Sequence, residues 1–369
     1  MTPTTFAPEP EHVMELRRQL QRFVKEKAPR QKRLQWDREH TWPRELFREI
    51  AEMGLIGLTI PAAYGGTGQD LVAAVAVIEE LSQAGAFLAG PYIHAAFYGG
   101  MNLSENGSED QKQALLPKIA RGELLLCYGL SEPNVGGDLS SVETRAEMHG
   151  DAIVINGSKR WCTGADWSDY IYCLVRSGDP AARHANLSLL LIPTDTPGIS
   201  MQAIEHNNLR YTASMDVSFD NVTVGPDAIV GGRDMWNKGW QQLSGRALDV
   251  EKIEITACAY GFARAAVEEA WQYAREREQF GKPIASHQAV RHKLVTAKTK
   301  LQAARHMLYH GAWLADQGLP CSIETSMAKL FVADIGVEIG IACQQVMGAY
   351  ALSDGFDIER NLRDLLGMP

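Results

Sequence analysis

The sequence has few cysteines, and they are not spaced as metal ligands or redox pairs. Six cysteines occur in 369 residues, and no two are closer than eleven positions. A zinc ribbon or a thioredoxin-like Cys-x-x-Cys motif is therefore excluded, and nothing resembles the disulfide framework of a small secreted protein. The residues Met1-Thr2-Pro3 also lack the basic and then apolar layout of a signal peptide. We expect reduced thiols and a cytoplasmic protein.

Long hydrophobic runs and an excess of positive charge are also lacking. The longest uninterrupted apolar stretch, Leu71 to Ile78, is much shorter than the ~20 residues that a membrane-spanning helix needs. The chain has 36 Lys and Arg against 45 Asp and Glu, which argues against a protein that binds nucleic acid through its phosphates. With 45% hydrophobic and 22% charged residues, the composition is that of a globular protein of two or three packed units.

Common catalytic and nucleotide-binding motifs are absent from the sequence. It contains no Gly-x-Gly-x-x-Gly after a strand, no P-loop, no Gly-x-Ser-x-Gly and no His-Glu-x-x-His. His306 and His310 are one helical turn apart, but no third ligand accompanies them, so we predict no metal site.

Hydrophobic periodicity divides the chain into three parts. In residues 1–123 the apolar residues recur at helical spacing. In residues 124–233 the period changes to two, for example at Ile171, Cys173 and Val175, with glycines and prolines between the runs. We therefore predict an N-terminal helical domain and then a small antiparallel β-domain, a barrel or a sandwich. Asn156-Gly157, a favourable pair for two-residue hairpin loops, predicts a turn in this domain.

In residues 234–369 the helical spacing returns. Three apolar stripes are present: one from Ala259 to Ala274, one at Leu294, Leu301 and Leu308, and one beginning with Ile323, Met327, Leu330 and Phe331. Long helices joined by short loops predict an antiparallel bundle. The predicted fold class is therefore α+β, in the order helical, β, helical.

Three segments carry residues that fit a ligand site. Leu130 to Leu139 contains a glycine pair beside hydroxyl and carboxamide side chains, which leaves backbone N–H groups for an anionic or heteroaromatic ligand. Trp161 to Gly164 supplies an indole that plugs the barrel or presents a face to a flat cofactor. Arg275 to Pro283 ends a long helix with basic groups and an aromatic residue. Taken singly, each segment also fits an ordinary structural role: a loop, a core plug and a helix C-terminus.

At these positions the chain resembles the acyl-CoA dehydrogenase family of flavoproteins. The resemblance covers nearly the whole chain and depends on short pieces that occur in order: Ile60-Pro61, Tyr64-Gly65-Gly66, Ser131 to Asp138, Trp161-Cys162-Thr163, Phe219-Asp220-Asn221-Val222, Arg277 to Gly281 and Arg363-Asp364. The fold that it implies has an N-terminal helical domain, a middle β-domain and a C-terminal four-helix bundle, which agrees with the periodicities.

The resemblance implies an FAD site. The implied contacts in one chain are Tyr128, Leu130, Ser131, Gly136, Gly137, Trp161 and Thr163. Among these, Trp161 would pack on the isoalloxazine ring and Thr163 would reach its N5/O4 edge. Family positions that meet the FAD of a neighbouring subunit match Arg277, Phe280, His287, Gln288, Gln345, Gly348 and Ala349. A site built across subunits implies an oligomer, a homotetramer or a heterotetramer.

The family reaction that the resemblance implies is α,β-dehydrogenation of an acyl-CoA thioester. A glutamate removes the α-proton, the β-hydrogen leaves as hydride to flavin N5, and the electrons pass to an electron-transfer flavoprotein. Most members carry the base after the segment that matches Arg363-Asp364, and this chain ends at Pro369, before that position. Glu251 matches the base of branches such as the isovaleryl-CoA dehydrogenases, so it is the implied catalytic residue. The implied substrate contacts are Gly137, Asp249 and Lys252.

Some residues depart from the family pattern. Lys252 replaces a frequent arginine, Gly137 a usual serine, Gly164 a common asparagine and Ala349 a second glycine. Together they indicate a divergent branch in which the C-terminal segment is missing. Besides a dehydrogenase, two alternatives stay open: an FAD-supporting or non-catalytic subunit of a hetero-oligomer, and a flavoenzyme of the same fold that oxygenates or desulfinates its substrate. The sequence does not specify the acyl group.

Overall fold

The structure is a computed structural model that describes residues 9–369, apart from the side chains of residues 246 and 247. The N-terminal helices are α1 (Glu11–Lys27), α2 (Arg30–Glu39), α3 (Arg44–Glu52), α4 (Leu71–Ala84), α5 (Ala86–Ile93), α6 (Asn102–Asn106) and α7 (Glu109–Ala120). A π-helical segment, His94–Met101, joins α5 directly to α6. Strands follow these helices and further helices follow the strands, which confirms the predicted α+β fold.

The middle of the chain forms one mixed sheet. Its strands are β1 (Leu126–Gly129), β2 (Arg145–His149), β3 (Ala152–Thr163), β4 (Tyr170–Arg176), β5 (Leu187–Pro193), β6 (Ile199–Ile204) and β7 (Ser214–Val224). They lie in the order β1-β4-β2-β3-β7-β6, and β5 also pairs with β4. The prediction of a purely antiparallel domain is wrong where β1 runs parallel to β4. A parallel pair needs a long crossover, which β2 and β3 provide between these two strands.

Asn156-Gly157 does not form the predicted hairpin turn. Strand β3 continues through both residues, and its register against β7 shifts beside Gly157, which has φ 142°. A Cβ atom at Gly157 would lie 2.6 Å from Thr144 Cα. The glycine is therefore explained by the close approach of a neighbouring segment. The turn lies instead at Gly150 and Asp151, between β2 and β3.

The C-terminal helices form the predicted bundle. They are α8 (Gly239–Leu243), α9 (Arg246–Glu276), α10 (Gln288–Asp316), α11 (Ser322–Met347) and α12 (Ile358–Leu365). Helices α9, α10 and α11 pack against one another, and α12 packs against α9 and α11. A two-stranded hairpin, β8 (Glu278–Gln279) and β9 (Lys282–Pro283), lies between α9 and α10. Helix α4 packs on α9 and α10 and thereby attaches the N-terminal domain to the bundle.

A buried ion-pair cluster strengthens that attachment. The Arg17 guanidinium of α1 lies 2.8 Å from Glu79 and 2.7 Å from Glu80, both on α4. Arg264 of α9 lies 2.6 Å from Glu79 and 2.9 Å from Glu80. Because both glutamates are almost fully buried, removing either arginine would leave an uncompensated charge. The cluster therefore fixes α9 relative to the N-terminal domain.

The outward face of α11 differs from the sequence prediction. In its predicted stripe, Ile323, Met327 and Leu330 are 70%, 48% and 65% exposed. The buried face combines large apolar residues such as Ile335 and Ile339 with small ones. A Cβ atom at Gly336 would lie 2.9 Å from the Leu365 side chain, so α12 packs closely there. The stretch Ser322–Leu352 is long and apolar enough to cross a membrane, although half of its apolar window is buried inside the protein. That burial is what a core helix of a bundle shows.

Candidate active site

Two glutamates lie one helical turn apart near the beginning of α9. Burial raises the pKa of Glu251 to about 7, although the positive charge of Lys252 acts in the opposite direction. Glu254 is 1% exposed, and burial together with the charge of Glu251 raises its pKa well above the ordinary value. Both effects favour the protonated form of Glu254. Glu251 gains and loses a proton near pH 7, as a general base requires.

Two stacked tyrosines face these glutamates. Tyr98 comes from the π-helical segment and Tyr128 from β1, and their ring centroids are 4.0 Å apart. Burial and the negative charges of Glu251 and Glu254 raise the pKa of both tyrosines well above the usual value. Asn102 Nδ2 donates a hydrogen bond to the Tyr128 hydroxyl at 2.6 Å. The site therefore draws side chains from all three domains, and the π-helical turn is the kind of local departure that often occurs at functional sites.

Trp161 projects from the sheet at a bulge. The register of β3 against β7 shifts between Lys159 and Cys162, and Trp161 has φ 63°. This conformation costs a bulky residue about 1–3 kcal/mol, and bulges commonly redirect a side chain at a binding site. The indole is 53% exposed, and the Arg160 guanidinium lies 5.1 Å from its centroid. An exposed aromatic face on a rigid strand suits a flat ligand.

The loop that contains Ser131 is held against the same strand. The Arg160 N–H donates to the Ser131 carbonyl at 2.9 Å. Next to it, Glu132 accepts from Lys159 Nζ at 2.7 Å and from the Thr144 N–H at 2.9 Å. The Lys159 and Glu132 side chains are 0% and 4% exposed. This buried pair therefore fixes the loop relative to Trp161.

The glycine pair of that loop is open to solvent. Gly136 and Gly137 are both exposed, and a Cβ atom at either would meet no atom of the described residues within 4 Å. Neither has a positive φ, so the fold itself does not require glycine there, and their bare backbone stays accessible to a ligand. Leu130 is half-buried against the core. At the end of β3, Thr163 Oγ1 lies 2.9 Å from Ser214 Oγ.

Gly164, which departs from the family pattern, has a structural explanation. It has φ 74°, and a Cβ atom there would lie 2.4 Å from the Trp167 ring. An L-residue is disfavoured on both counts. The glycine therefore accommodates Trp167, whose indole Nε1 donates to Thr212 Oγ1.

Asp249 and Lys252, the predicted substrate contacts, pair with each other. Lys252 Nζ lies 3.0 Å from Asp249 Oδ1, and both side chains are partly exposed. A cavity of about 380 Å³ opens beside them, between α9 and α11, and Glu251 and Ile255 also line it. Glu251 therefore borders both this cavity and the buried tyrosines.

The residues predicted to meet a neighbouring subunit lie together at the other end of the bundle, where α9 and α11 end and α10 begins. Phe280 and Gly281 have φ 57° and 76°, as a type I′ hairpin turn requires, and Phe280 is 93% exposed. The Arg277 guanidinium lies 5.4 Å from the Tyr350 ring, and Gln345 accepts from Lys293 at 2.7 Å. Exposed or partly exposed nearby are His287, Gln288, Gly348 and Ala349.

These residues are too far from Glu251 to complete a site with it in the same chain. Glu251 is near the N-terminus of α9 and Arg277 follows its C-terminus. At 1.5 Å per helical residue the two are about 40 Å apart along the helix. A ligand of cofactor size that contacts both sets must therefore lie between copies of the chain.

Arg363 and Asp364, part of the resemblance, have a structural role. Arg363 Nη2 donates to both Asp37 oxygens, at 2.9 and 2.8 Å. Asp364 accepts from the Leu209 N–H at 2.6 Å, and burial raises its pKa to about 6. The pair joins α12 to α2 and to the segment that precedes β7.

Sequence models of the three domains of one enzyme family match the chain in order. The acyl-CoA dehydrogenase N-terminal domain matches residues 10–123, the middle domain 127–222 and the C-terminal domain 237–369. The chain belongs to the acyl-CoA dehydrogenase family. It is therefore an oxidoreductase, and its general activity is acyl-CoA dehydrogenation.

Individual acyl-CoA dehydrogenases and their structures agree with this assignment. A probable acyl-CoA dehydrogenase of Bacillus subtilis (strain 168) is 33% identical over 89% of this chain and 86% of its own length. The structure of a glutaryl-coenzyme A dehydrogenase with glutaryl-CoA superposes with a TM-score of 0.92 and 28% identity, over 98% of this chain and 91% of the other. A chain from a study of the electron transferring flavoprotein of Acidaminococcus fermentans gives a TM-score of 0.92 with 27% identity, over 98% and 94%.

Acyl-CoA dehydrogenases are FAD-dependent flavoproteins, which confirms the cofactor predicted from the sequence. The residues of this chain fit FAD. The exposed Trp161 indole offers a face for a flat ring, and Thr163 and Ser214 place two hydroxyl groups close together. The open backbone at Gly136 and Gly137 leaves room for phosphate groups.

Three residues of the site were not predicted from the sequence: Tyr98, Asn102 and Glu254. One signal for Glu254 is present, because it is an acid among the apolar residues Val250, Ile253 and Ala257 of one helix face. Tyr98 and Asn102 carry no comparable signal. The π-helical segment departs from the 3.6-residue spacing by which residues on the same face of an α-helix are recognised in a sequence.

Proposed function

We propose that this acyl-CoA dehydrogenase removes the α-proton of an acyl-CoA thioester with Glu251 as the base. The observation that carries the proposal is the position of Glu251 at the border of a cavity and a dry tyrosine-lined interior, where burial raises its pKa to about 7. A carboxylate in such a site is a stronger base than one in water. Lys252, adjacent in sequence, keeps a useful fraction of it ionised at neutral pH.

The remaining residues of the site bind and orient. FAD, when bound, supplies the acceptor for the β-hydrogen of the substrate. Trp161, Thr163 and Ser131 would hold its ring against the sheet. Near the open glycine pair, a cavity of about 540 Å³ is lined by Arg145, Arg176 and Arg183. Guanidinium groups of this kind favour the phosphates of coenzyme A.

The proposal includes assembly into an oligomer and transfer of electrons to an electron-transfer flavoprotein. Two observations support assembly: the cofactor residues at the far end of the bundle cannot serve Glu251 of the same chain, and Ile323, Met327 and Leu330 form an exposed apolar face. Support for the acceptor comes from the superposed chain of the flavoprotein study in Acidaminococcus fermentans.

The test is anaerobic reduction of the flavin by a panel of acyl-CoA thioesters. The loss of the yellow flavin absorbance measures the reduction. We expect bleaching with the wild type. With Glu251→Gln we expect a rate about 10²–10⁴-fold lower, because general base catalysis contributes that much, while the protein stays yellow. Glu268→Gln, on the exposed side of the same helix, is the matched control and should bleach normally.

The result also separates the alternatives. A colourless protein, or one that reacts only with a companion chain, would favour a supporting subunit. Unimpaired bleaching by Glu251→Gln would remove Glu251 from the mechanism. Stoichiometric oxygen consumption with a reduced flavin donor would favour a changed reaction.

A further inference from the structure

Glu254 is a buried acid whose carboxyl oxygens make no hydrogen bond of normal geometry in the described part of the chain, although the Tyr98 hydroxyl acts on them. The residue is 1% exposed. Leaving such a group without a hydrogen bond destabilises the fold. Other buried glutamates are satisfied: Glu79 pairs with Arg17 and Arg264, and Glu132 with Lys159. Glu254 therefore differs from the buried acids that serve the fold.

The surroundings of Glu254 place it next to the proposed base. It is one helical turn after Glu251, and Cβ atoms at this spacing are about 5–6 Å apart. The Tyr98 hydroxyl faces it and favours its ionised form, and Tyr98 stacks on Tyr128. If the α-carbon of an acyl group meets Glu251, atoms about two or three carbons further along the acyl chain lie within reach of Glu254.

We propose that Glu254 determines substrate specificity by binding a hydrogen-bond donor, a hydroxyl or an amine, on the acyl chain of the thioester. The inference rests on the proposed function, because it takes Glu251 as the base. It deepens that function by naming the class of acyl group.

The groups around Glu254 favour hydrogen-bond donors over other substituents. A hydroxyl group donates to one Glu254 oxygen and so satisfies a carboxyl that otherwise lacks a hydrogen bond of normal geometry. An ammonium group would ionise Glu254, pair with it and lie near the faces of Tyr98 and Tyr128. A carboxylate would meet the negative charge of Glu251 at close range and is disfavoured. The glutaryl-CoA of the superposed dehydrogenase structure carries such a carboxylate, so we expect this chain to select differently.

The test compares four thioesters of equal length on the FAD-loaded wild type: pentanoyl-CoA, 5-hydroxypentanoyl-CoA, 5-aminopentanoyl-CoA and glutaryl-CoA. We expect kcat/KM for the hydroxyl and amino compounds to be at least about tenfold above that for pentanoyl-CoA. For glutaryl-CoA we expect a value at least about tenfold below it. The same comparison with four-carbon and six-carbon thioesters allows for a different depth of the pocket.

Variants of Glu254 test whether this residue causes the preference for thioesters that carry a hydrogen-bond donor. In Glu254→Leu the order should reverse in favour of pentanoyl-CoA, and in Glu254→Gln the preference for the amine should be lost while that for the hydroxyl is kept. Glu269→Gln is the matched control, since this partly buried glutamate on the same helix accepts from the Asp357 N–H, and the substrate ratios should not change. If neither Glu254 variant folds, the wild-type panel decides alone.

Two outcomes are distinguishable. A wild type that prefers the unsubstituted thioester at every length, or ratios that Glu254→Leu leaves unchanged, would overturn the role of Glu254. Failure of every acyl-CoA to reduce the flavin would instead overturn the proposed function.

Discussion

The Tyr98 ring lies on the Tyr128 ring, with centroids 4.0 Å apart and planes 21° from parallel. Through this contact the π-helical segment of the N-terminal domain meets the first strand of the sheet, directly opposite Glu251 and Glu254 on α9. The stack therefore sets the spacing between two domains at the candidate site.

Shortening the Tyr98 side chain should loosen this contact. We expect Tyr98→Leu to lower the free energy of unfolding by about 1–3 kcal/mol, because it removes a buried ring and its stacking partner loses contact. Tyr98→Phe keeps the ring and should change stability by less than about 1 kcal/mol. Urea unfolding followed by circular dichroism measures both. Equal losses in the two variants would show that the hydroxyl, not the stack, is important.

The rate of flavin reduction should depend on pH through Glu251. The base acts when deprotonated, so the rate should rise as the pH passes through about 7, the pKa to which burial raises this carboxyl. Lys252→Met should move the midpoint to higher pH, because the charge that favours the carboxylate is lost. Anaerobic stopped-flow measurements from pH 5.5 to 9 test this. Lys300→Met, in a remote surface ion pair, should leave the midpoint where it is.

The same raised pKa has a cost in stability. A folded-state pKa above the unfolded one means that the folded protein binds more protons, so stability falls as the pH rises from about 4.3 to about 7. Glu251→Gln should therefore be more stable than the wild type at pH 8, by about 1–3 kcal/mol, and nearly equal to it at pH 4.5. Thermal unfolding at the two pH values measures the difference. A gain of the same size at both would contradict the linkage.

The buried pair of Glu132 and Lys159 should be essential for the loop that precedes Trp161. Glu132→Gln leaves the Lys159 ammonium buried without a counter-charge, so we expect a loss of about 3–5 kcal/mol. The double variant Glu132→Leu, Lys159→Met should recover part of it. The pKa of the Glu132 carboxyl is held below its usual value by Lys159 and by the N–H groups that donate to it. The contribution of the ion pair to stability should therefore be lost only as the pH falls below about 4. Urea unfolding at pH 7 and pH 3 provides the measurement.

The exposed apolar face of α11 should be an interface between copies. Leu330 is 65% exposed, and Leu330→Glu should lower the mass measured by light scattering. FAD should also bind more weakly in this variant. Without the interface, the residues around Arg277 and Phe280 of a neighbouring copy cannot reach the proposed FAD site near Trp161. Met53→Glu, at an exposed residue directly after α3, is the control. If Leu330→Glu keeps the wild-type mass and its yellow colour, the interface lies elsewhere.

Local patterns gave a reliable account of the elements but not of every face. The α10 stripe and, apart from Trp271, the α9 stripe are buried in the structure. Strands β4 and β5 form where the alternation predicts them, but both of their faces are buried. The predicted α11 stripe is exposed, because another face of the helix, which includes Ile335, Gly336 and Ile339, packs into the bundle and against α12. Asn156-Gly157 was misleading for a similar reason: the glycine is required by the approach of Thr144, which is remote in sequence.

The sequence by itself determined the order of domains, the family and its FAD, because these depend on periodicity and on motifs contained in short segments. It also indicated Glu251, which follows one of those segments. Only the tertiary structure decided that Glu254 lies buried beside Glu251, opposite Tyr98 and Tyr128, with no hydrogen bond of normal geometry to its carboxyl oxygens in the described part of the chain. That arrangement joins three domains, and the pKa of each group depends on how much water its neighbours exclude, which no local pattern records.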